Sequence, residues 1–194
     1  MMRPHLGFAV LTLVTAGCVD TVDTVAREYR NSNNEVIDAM MVITTESQAD
    51  GMTARIFKPM NDRYDAIDRK LTILITNRTK KEIVNEVYES EGVHMYLVEL
   101  EINRQRYALE MTRLRNLHRQ LVDAHQECPK LDEIVNKEDT LKKLRDQLNN
   151  PEFMKLMNQF GTYKVENYPA ILAKFNERRK LFELKKDIIL VAPN

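Results

Sequence analysis

Tryptophan is missing from this chain of 194 residues, and glycine, with five, and proline, with six, are sparse. That leaves little material for the tight turns of a β-sandwich or for glycine-rich phosphate loops. Gly-x-Ser-x-Gly and Ser-x-x-Lys nucleophile motifs are absent as well, so hydrolase and nucleotide chemistry have no residue to start from, and the chain reads as a non-enzyme. Charge of one sign is not in excess. Basic and acidic side chains number 29 each, for a formal net charge of +0, so no whole-chain field recruits nucleic acid. Cysteine is limited to Cys18 and Cys128, neither in a Cys-x-x-Cys pair, which excludes four-ligand structural zinc and c-type haem attachment. The one long apolar run, Leu6 to Gly17, falls short of the roughly 20 residues that span a bilayer.

What is abundant is charge, at 30%, interleaved with 43% hydrophobic residues. The most regular pattern begins at Val93. Alternate steps of four and three give Leu97, Leu100, Arg104, Tyr107, Met111, Leu114, His118, Leu121, His125 and Cys128, a heptad seam. A helix of that length reaches about 50 Å at about 1.5 Å per residue. The expected fold is all-α, an elongated helical bundle built of coiled-coil hairpins. Met95, Ile102 and Leu109 form a second stripe on the same helix, so at least two neighbours are expected along it.

At the N-terminus Arg3 precedes Leu6–Gly17, which reads as the apolar region of a signal peptide. It ends in Val14-Thr15-Ala16-Gly17-Cys18. Small Ala16 and Gly17 directly before a cysteine resemble the lipobox of bacterial lipoproteins, although Thr15 stands where a large aliphatic is usual. The resemblance covers the signal only. It implies removal of residues 1–17, lipidation of Cys18 and a mature protein held on a membrane by acyl chains. Val14-Thr15-Ala16 also fits an ordinary secretory cleavage site, which keeps a secreted form as the alternative.

In the mature chain, Val22, Val25, Tyr29, Val36, Ile37, Met40 and Ile43 mark an amphipathic helix, with a break or kink expected at the polar run Asn31–Asn34 and an end at Gly51. Pro59 is expected to end or kink what precedes it. Tyr64, Ile67, Leu71 and Leu74 continue in one stripe that slips near Arg78, and the spacing favours one long helix with an irregularity there, although Thr79–Glu82 matches a capping box. Gly92 is either a turn, folding a hairpin, or a tolerated helix position. Amphipathic spacing returns over Lys130–Asn149, over Glu152–Phe160 and beyond Tyr168-Pro169. The organisation expected is a signal peptide over 1–17, a helix and tether over 18–51, a long helical hairpin carrying the seam over 52–150, and C-terminal helices over 151–194.

Chemistry has few places to reside. His125 and Cys128 are three apart, and Glu91–His94 matches one Glu-x-x-His unit where a di-iron bundle needs two. Seam edge and solvated helix are the simpler readings, so no metal or cofactor is expected. The basic cluster Arg178–Lys180 with Lys185-Lys186 is interleaved with acids and reads as a solvated face. His118 and His125, packed on the seam near Arg113, Arg115 and Arg119, would favour the neutral imidazole, and the seam would loosen in mild acid. The function expected is a lipid-anchored protein of the cell envelope, on its periplasmic or extracellular face. It would act as scaffold, spacer or partner-binding module, or self-associate, through helical stripes. The alternative is a holdase-like chaperone using the adaptable surface of ten methionines.

Overall fold

The computed structural model describes residues 20–137, 139 and 141–160, together with 169, 170, 173, 176, 177 and 180. Among them all regular structure is helical. Helix α1 (Val22–Met41) is the centre, packing most extensively on α5 (Glu91–Asp123) and next on α3 (Lys58–Asn77). Its inward residues Val22, Val25, Ala26, Tyr29, Val36, Ile37 and Met40 are at most 1% exposed. The apolar face expected of the amphipathic helix in this segment is thus part of the core. Within the segment over 52–150, both α3 and α5 pack mainly on α1.

Polar residues do not break α1. Ser32 and Asn33 are buried and Asn34 is half-buried. Asn33 accepts the Tyr64 hydroxyl (2.6 Å) and Asn34 accepts the Asn103 amide (2.9 Å). Asparagine disfavours helix interiors when its amide competes for local backbone, and partners on α3 and α5 remove that competition.

Helix α2 (Glu46–Met52) runs through Gly51 into a π-helical turn, Thr53–Phe57, and on into α3, with right-handed helical backbone at both junctions. Here Pro59 does not end the helix. The Lys58 N–H reaches back to the Thr53 carbonyl, and this wider turn just before Pro59 gives room for a ring that would crowd the preceding turn of a regular α-helix.

A real break comes at Arg78, whose backbone is extended. Thr79 and Glu82 then form the capping box that starts α4 (Lys80–Glu89), so the single irregular helix favoured by the spacing is two helices. Ser90 caps α5. At Gly92 an added Cβ would lie 2.6 Å from the Asp23 carbonyl oxygen, so glycine is required there by close approach.

Charged side chains cap helix ends across long sequence separations. Glu86 accepts the Val22 N–H at the start of α1 (2.9 Å), while Asp23 accepts the Gly92 N–H and the Ser90 hydroxyl at the start of α5. Arg113 donates to the carbonyls of Met40, in the last turn of α1, and of Ile43, just beyond its end (2.6 Å each). Helix α6 (Pro129–Asn136) lacks a cap of its own, and Glu46 provides one by accepting the N–H groups of Lys130 (2.5 Å) and Leu131 (3.0 Å).

The long helix stops at Asp123, short of Cys128. His125 adopts a left-handed conformation (φ 57°); its N–H bonds the Val122 carbonyl and that of Gln126 bonds Leu121, a Schellman closure with histidine where glycine is usual. The chain then returns along α5 as α6 and α7 (Lys142–Asn149), where the spacing over Lys130–Asn149 had no interruption, and α8 (Glu152–Phe160) reaches α4. At 33 residues, α5 alone spans about 50 Å.

Candidate functional site

Two places concentrate polar chemistry. The first is a buried knot where α1, α3, α5 and α8 meet. Tyr29 lies 6.0 Å from Tyr96 and 6.5 Å from Tyr64 between ring centroids, and Phe153 packs edge-on against Tyr29 (5.9 Å) and Tyr96 (5.7 Å). Each tyrosine hydroxyl has an acceptor: Asp68 for Tyr29, Asn33 for Tyr64 and Gln147 for Tyr96 (3.2 Å). Burial pushes all three phenols above their ordinary range. The knot is closed and each of its phenol hydroxyls has an acceptor within the protein, which is the chemistry of a core that specifies its own packing.

The second place is a groove of about 540 Å³ between α5, α6 and α7. Tyr107, Ala108, Met111, Thr112 and Arg115 share one face of α5, at the i, i+4 and i+8 spacing that aligns side chains along a helix. Because α6 runs antiparallel to α5, Ile134 and Val135 come opposite Met111, and Leu141 with Arg145 closes the groove from the start of α7. Met111, Ile134, Val135 and Leu141 are buried and form an apolar floor. Arg115 and Lys137 are exposed and Arg145 half-exposed at the rim, and no carboxylate is among the described lining residues. Arg115 makes no hydrogen bond or ion pair with a described residue. Burial pushes the Tyr107 phenol up, while Arg145 and Arg115 pull it back, so both guanidiniums sense the position of that hydroxyl.

The predicted seam divides between these regions. Leu100, Met111 and Leu114 are buried; Leu97, Tyr107 and Leu121 are half-buried against the core. The buried line takes Tyr96 and Asn103 in place of Leu97 and Arg104, since Asn34 and Gln147 stand ready to receive their polar groups. Arg104 instead donates to the Leu148 carbonyl (2.5 Å) at the end of α7. His118 is half-buried with Nε2 3.5 Å from the Asp132 carboxylate, and His125 is exposed beyond the helix end. The packing expected around the pair is therefore corrected: among the described residues no second helix packs on His125, and a carboxylate rather than an arginine lies beside the His118 ring.

Cys18 and the basic cluster around Arg178 and Arg179 lie outside the described residues. Cys128 is a buried free thiol, pushed up by burial and further by Glu46 and Asp132, so it carries little thiolate for chemistry. Among the described residues no three His, Cys, Asp or Glu side chains gather to hold a metal ion, and no helix is long and apolar enough to cross a membrane. The groove's cations were missed from sequence because Arg115, Lys137 and Arg145 belong to different segments. The only local signal was Tyr107, Met111 and Arg115 on one face. Compared with known protein families, curated proteins and solved structures, the chain finds no match.

Proposed function

We propose that this is a lipid-anchored protein of a bacterial envelope whose helical body is a binding module. The anchor follows from Ala16-Gly17-Cys18 at the end of a short apolar run. The binding role is carried by one observation, the solvent-facing groove in which Tyr107, Arg115, Lys137 and Arg145 converge around the buried side chains of Met111, Ile134, Val135 and Leu141. Concave sites on which a few polar groups converge are the usual place for a ligand. The holdase alternative draws on a smaller methionine surface, with Met41 and Met154 exposed and Met40, Met60 and Met111 in the core.

Two measurements test the two halves. Mass spectrometry of the mature N-terminus is expected to find acylated Cys18, with Cys18→Ser releasing the protein from membranes; an unmodified N-terminus contradicts the anchor. A photo-crosslinking residue in place of Ala108, on the groove rim, is expected to yield a defined adduct in native membranes. A protein without adduct contradicts the binding module.

A further inference from the structure

We infer that the end of the bundle where α1 starts and α3 finishes is seated on the membrane, with the exposed Ile73 entering the interface and Arg69, Lys80 and Lys81 lying against the headgroups of anionic phospholipid. This deepens the lipid-anchor reading and rests on it. Chain length sets the distance. Two residues of chain join Cys18 to Asp20, a reach of at most about 7 Å when fully extended. Asp20 already belongs to the folded body, paired with Lys70 of α3 (3.6 Å), and Thr21 caps α1 through a capping box with Thr24. The headgroup layer of a bilayer is roughly 5–8 Å deep on each side, so acyl chains on Cys18, sunk in the hydrocarbon, bring Asp20 within that layer or to its outer edge. No spacer is left to hold the body away.

The fold decides which surface lies there. Helix α3 runs antiparallel to α1, as the pairs Glu35–Arg63, Tyr29–Asp68 and Glu28–Lys70 show, so its last turns return to Asp20. Helix α5 runs parallel to α1, from Asp23–Gly92 to Asp38–Arg106, and α4 is joined to the same end through Glu86 and the Val22 N–H. On α3, Ile73 is three residues beyond Lys70 and four beyond Arg69, the spacings that make neighbours on a helix surface. It is 58% exposed. Arg69 is exposed beside it, and Lys80 and Lys81 are exposed on the first turn of α4, just past the extended Arg78. A protruding aliphatic side chain flanked by basic ones is the composition of an interfacial membrane contact. Acids of this end serve the fold: Asp23 and Glu86 receive the helix starts, Asp20 and Glu28 hold Lys70, and Glu82 is in the capping box with Thr79. The exposed Glu89 is about 14 Å along α4 from Lys80. Leu109, Met41 and Val42 are comparably exposed, but they lie level with the far end of α1, about 30 Å from Asp20.

Tryptophan is absent from the chain, so one introduced indole reports its own depth. The mature protein carrying Ile73→Trp or Leu109→Trp, both at exposed positions, is purified from membranes and reconstituted into phosphatidylcholine vesicles with and without phosphatidylserine, the phosphatidylcholine bearing brominated acyl chains as quencher. The indole at 73 is expected to be quenched at least about twofold more strongly than that at 109, since an interfacial side chain reaches roughly 5–10 Å into the headgroup and acyl boundary. Leaving out phosphatidylserine, or adding Arg69→Gln/Lys80→Gln/Lys81→Gln to the Ile73→Trp protein, is expected to lower that quenching at least about twofold, because each basic side chain near the surface adds to the attraction. An unchanged melting curve verifies the fold of each variant. Equal quenching at 73 and 109, or none at 73, in protein shown by mass spectrometry to be acylated at Cys18 overturns the inference and leaves the anchor standing. Quenching at 73 that ignores both phosphatidylserine and the triple variant overturns the role of the anionic headgroup. Protein that carries no acyl group and does not float with the vesicles removes both inference and anchor.

Discussion

The tyrosine knot and the α5–α6–α7 groove use the same residue types to opposite ends. In the knot, Tyr29, Tyr64 and Tyr96 are at most 1% exposed and every hydroxyl has an acceptor within the protein. In the groove, Tyr107 is half-buried and its cationic neighbours face solvent. A satisfied polar group inside a low-dielectric core stabilises one packing, and a polar group left open next to apolar surface is available to something else. Helices α5 and α7 take part in both, so the two regions are held on shared elements while their energetics remain separable.

The largest effect that bears on this contrast is Phe153→Ala. It removes the ring wedged edge-on between Tyr29 and Tyr96, and urea unfolding is expected to lose about 3–5 kcal/mol. A loss near that of an ordinary surface change would mean that the knot is loosely packed. Next comes a matched pair. Tyr64→Phe strands the Asn33 amide oxygen in a fully buried position and is expected to cost about 1–3 kcal/mol, whereas Tyr107→Phe should stay within about 0.5 kcal/mol. Similar losses from both would erase the distinction.

Acid provides a third handle. Burial raises the proton affinity of Asp23, but hydrogen bonds from Arg27, the Gly92 N–H and Ser90 outweigh it, and the carboxyl sits below its ordinary 3.8. A folded-state value lowered in this way contributes stability that is fully present above the unfolded value and lost as pH falls through the folded one. Unfolding midpoints should thus decline below about pH 4, and Asp23→Asn should flatten that decline at a lower starting stability. An unaltered acid limb in the variant would show that the junction of α1 with α5 is not fastened by Asp23. The smallest effect expected is on stability in Arg115→Gln/Lys137→Gln, within about 0.5 kcal/mol of the parent, because neither side chain is part of the fold's ion pairs.

Helical class was legible from period and from the scarcity of glycine, and the capping signals at Thr79–Glu82 and the span of α8 could be read directly from residue type. What escaped was whatever depended on a distant partner. Asn33 and Asn34 looked like a break because Tyr64 and Asn103 are 31 and 69 residues away. Pro59 looked like a stop because a π-helical turn leaves no trace in hydrophobic spacing. The heptad seam of Leu97 and Arg104 gave way to Tyr96 and Asn103 for the same reason: periodicity ranks residues by apolarity, while the folded helix ranks them by which polar groups find acceptors. The groove depends on a return of α6 and α7 that begins at His125, a residue whose left-handed conformation its side chain does not advertise.

The central claim is that binding belongs to the groove and stability to the knot, and amide hydrogen exchange of the full chain with and without the crosslinked adduct at position 108 tests it most directly. The account predicts added protection over residues 107–115 and 134–145, with residues 22–41 and 58–77 unchanged. Protection spread evenly over the bundle, or concentrated at α1 and α3 with residues 134–145 untouched, would contradict it.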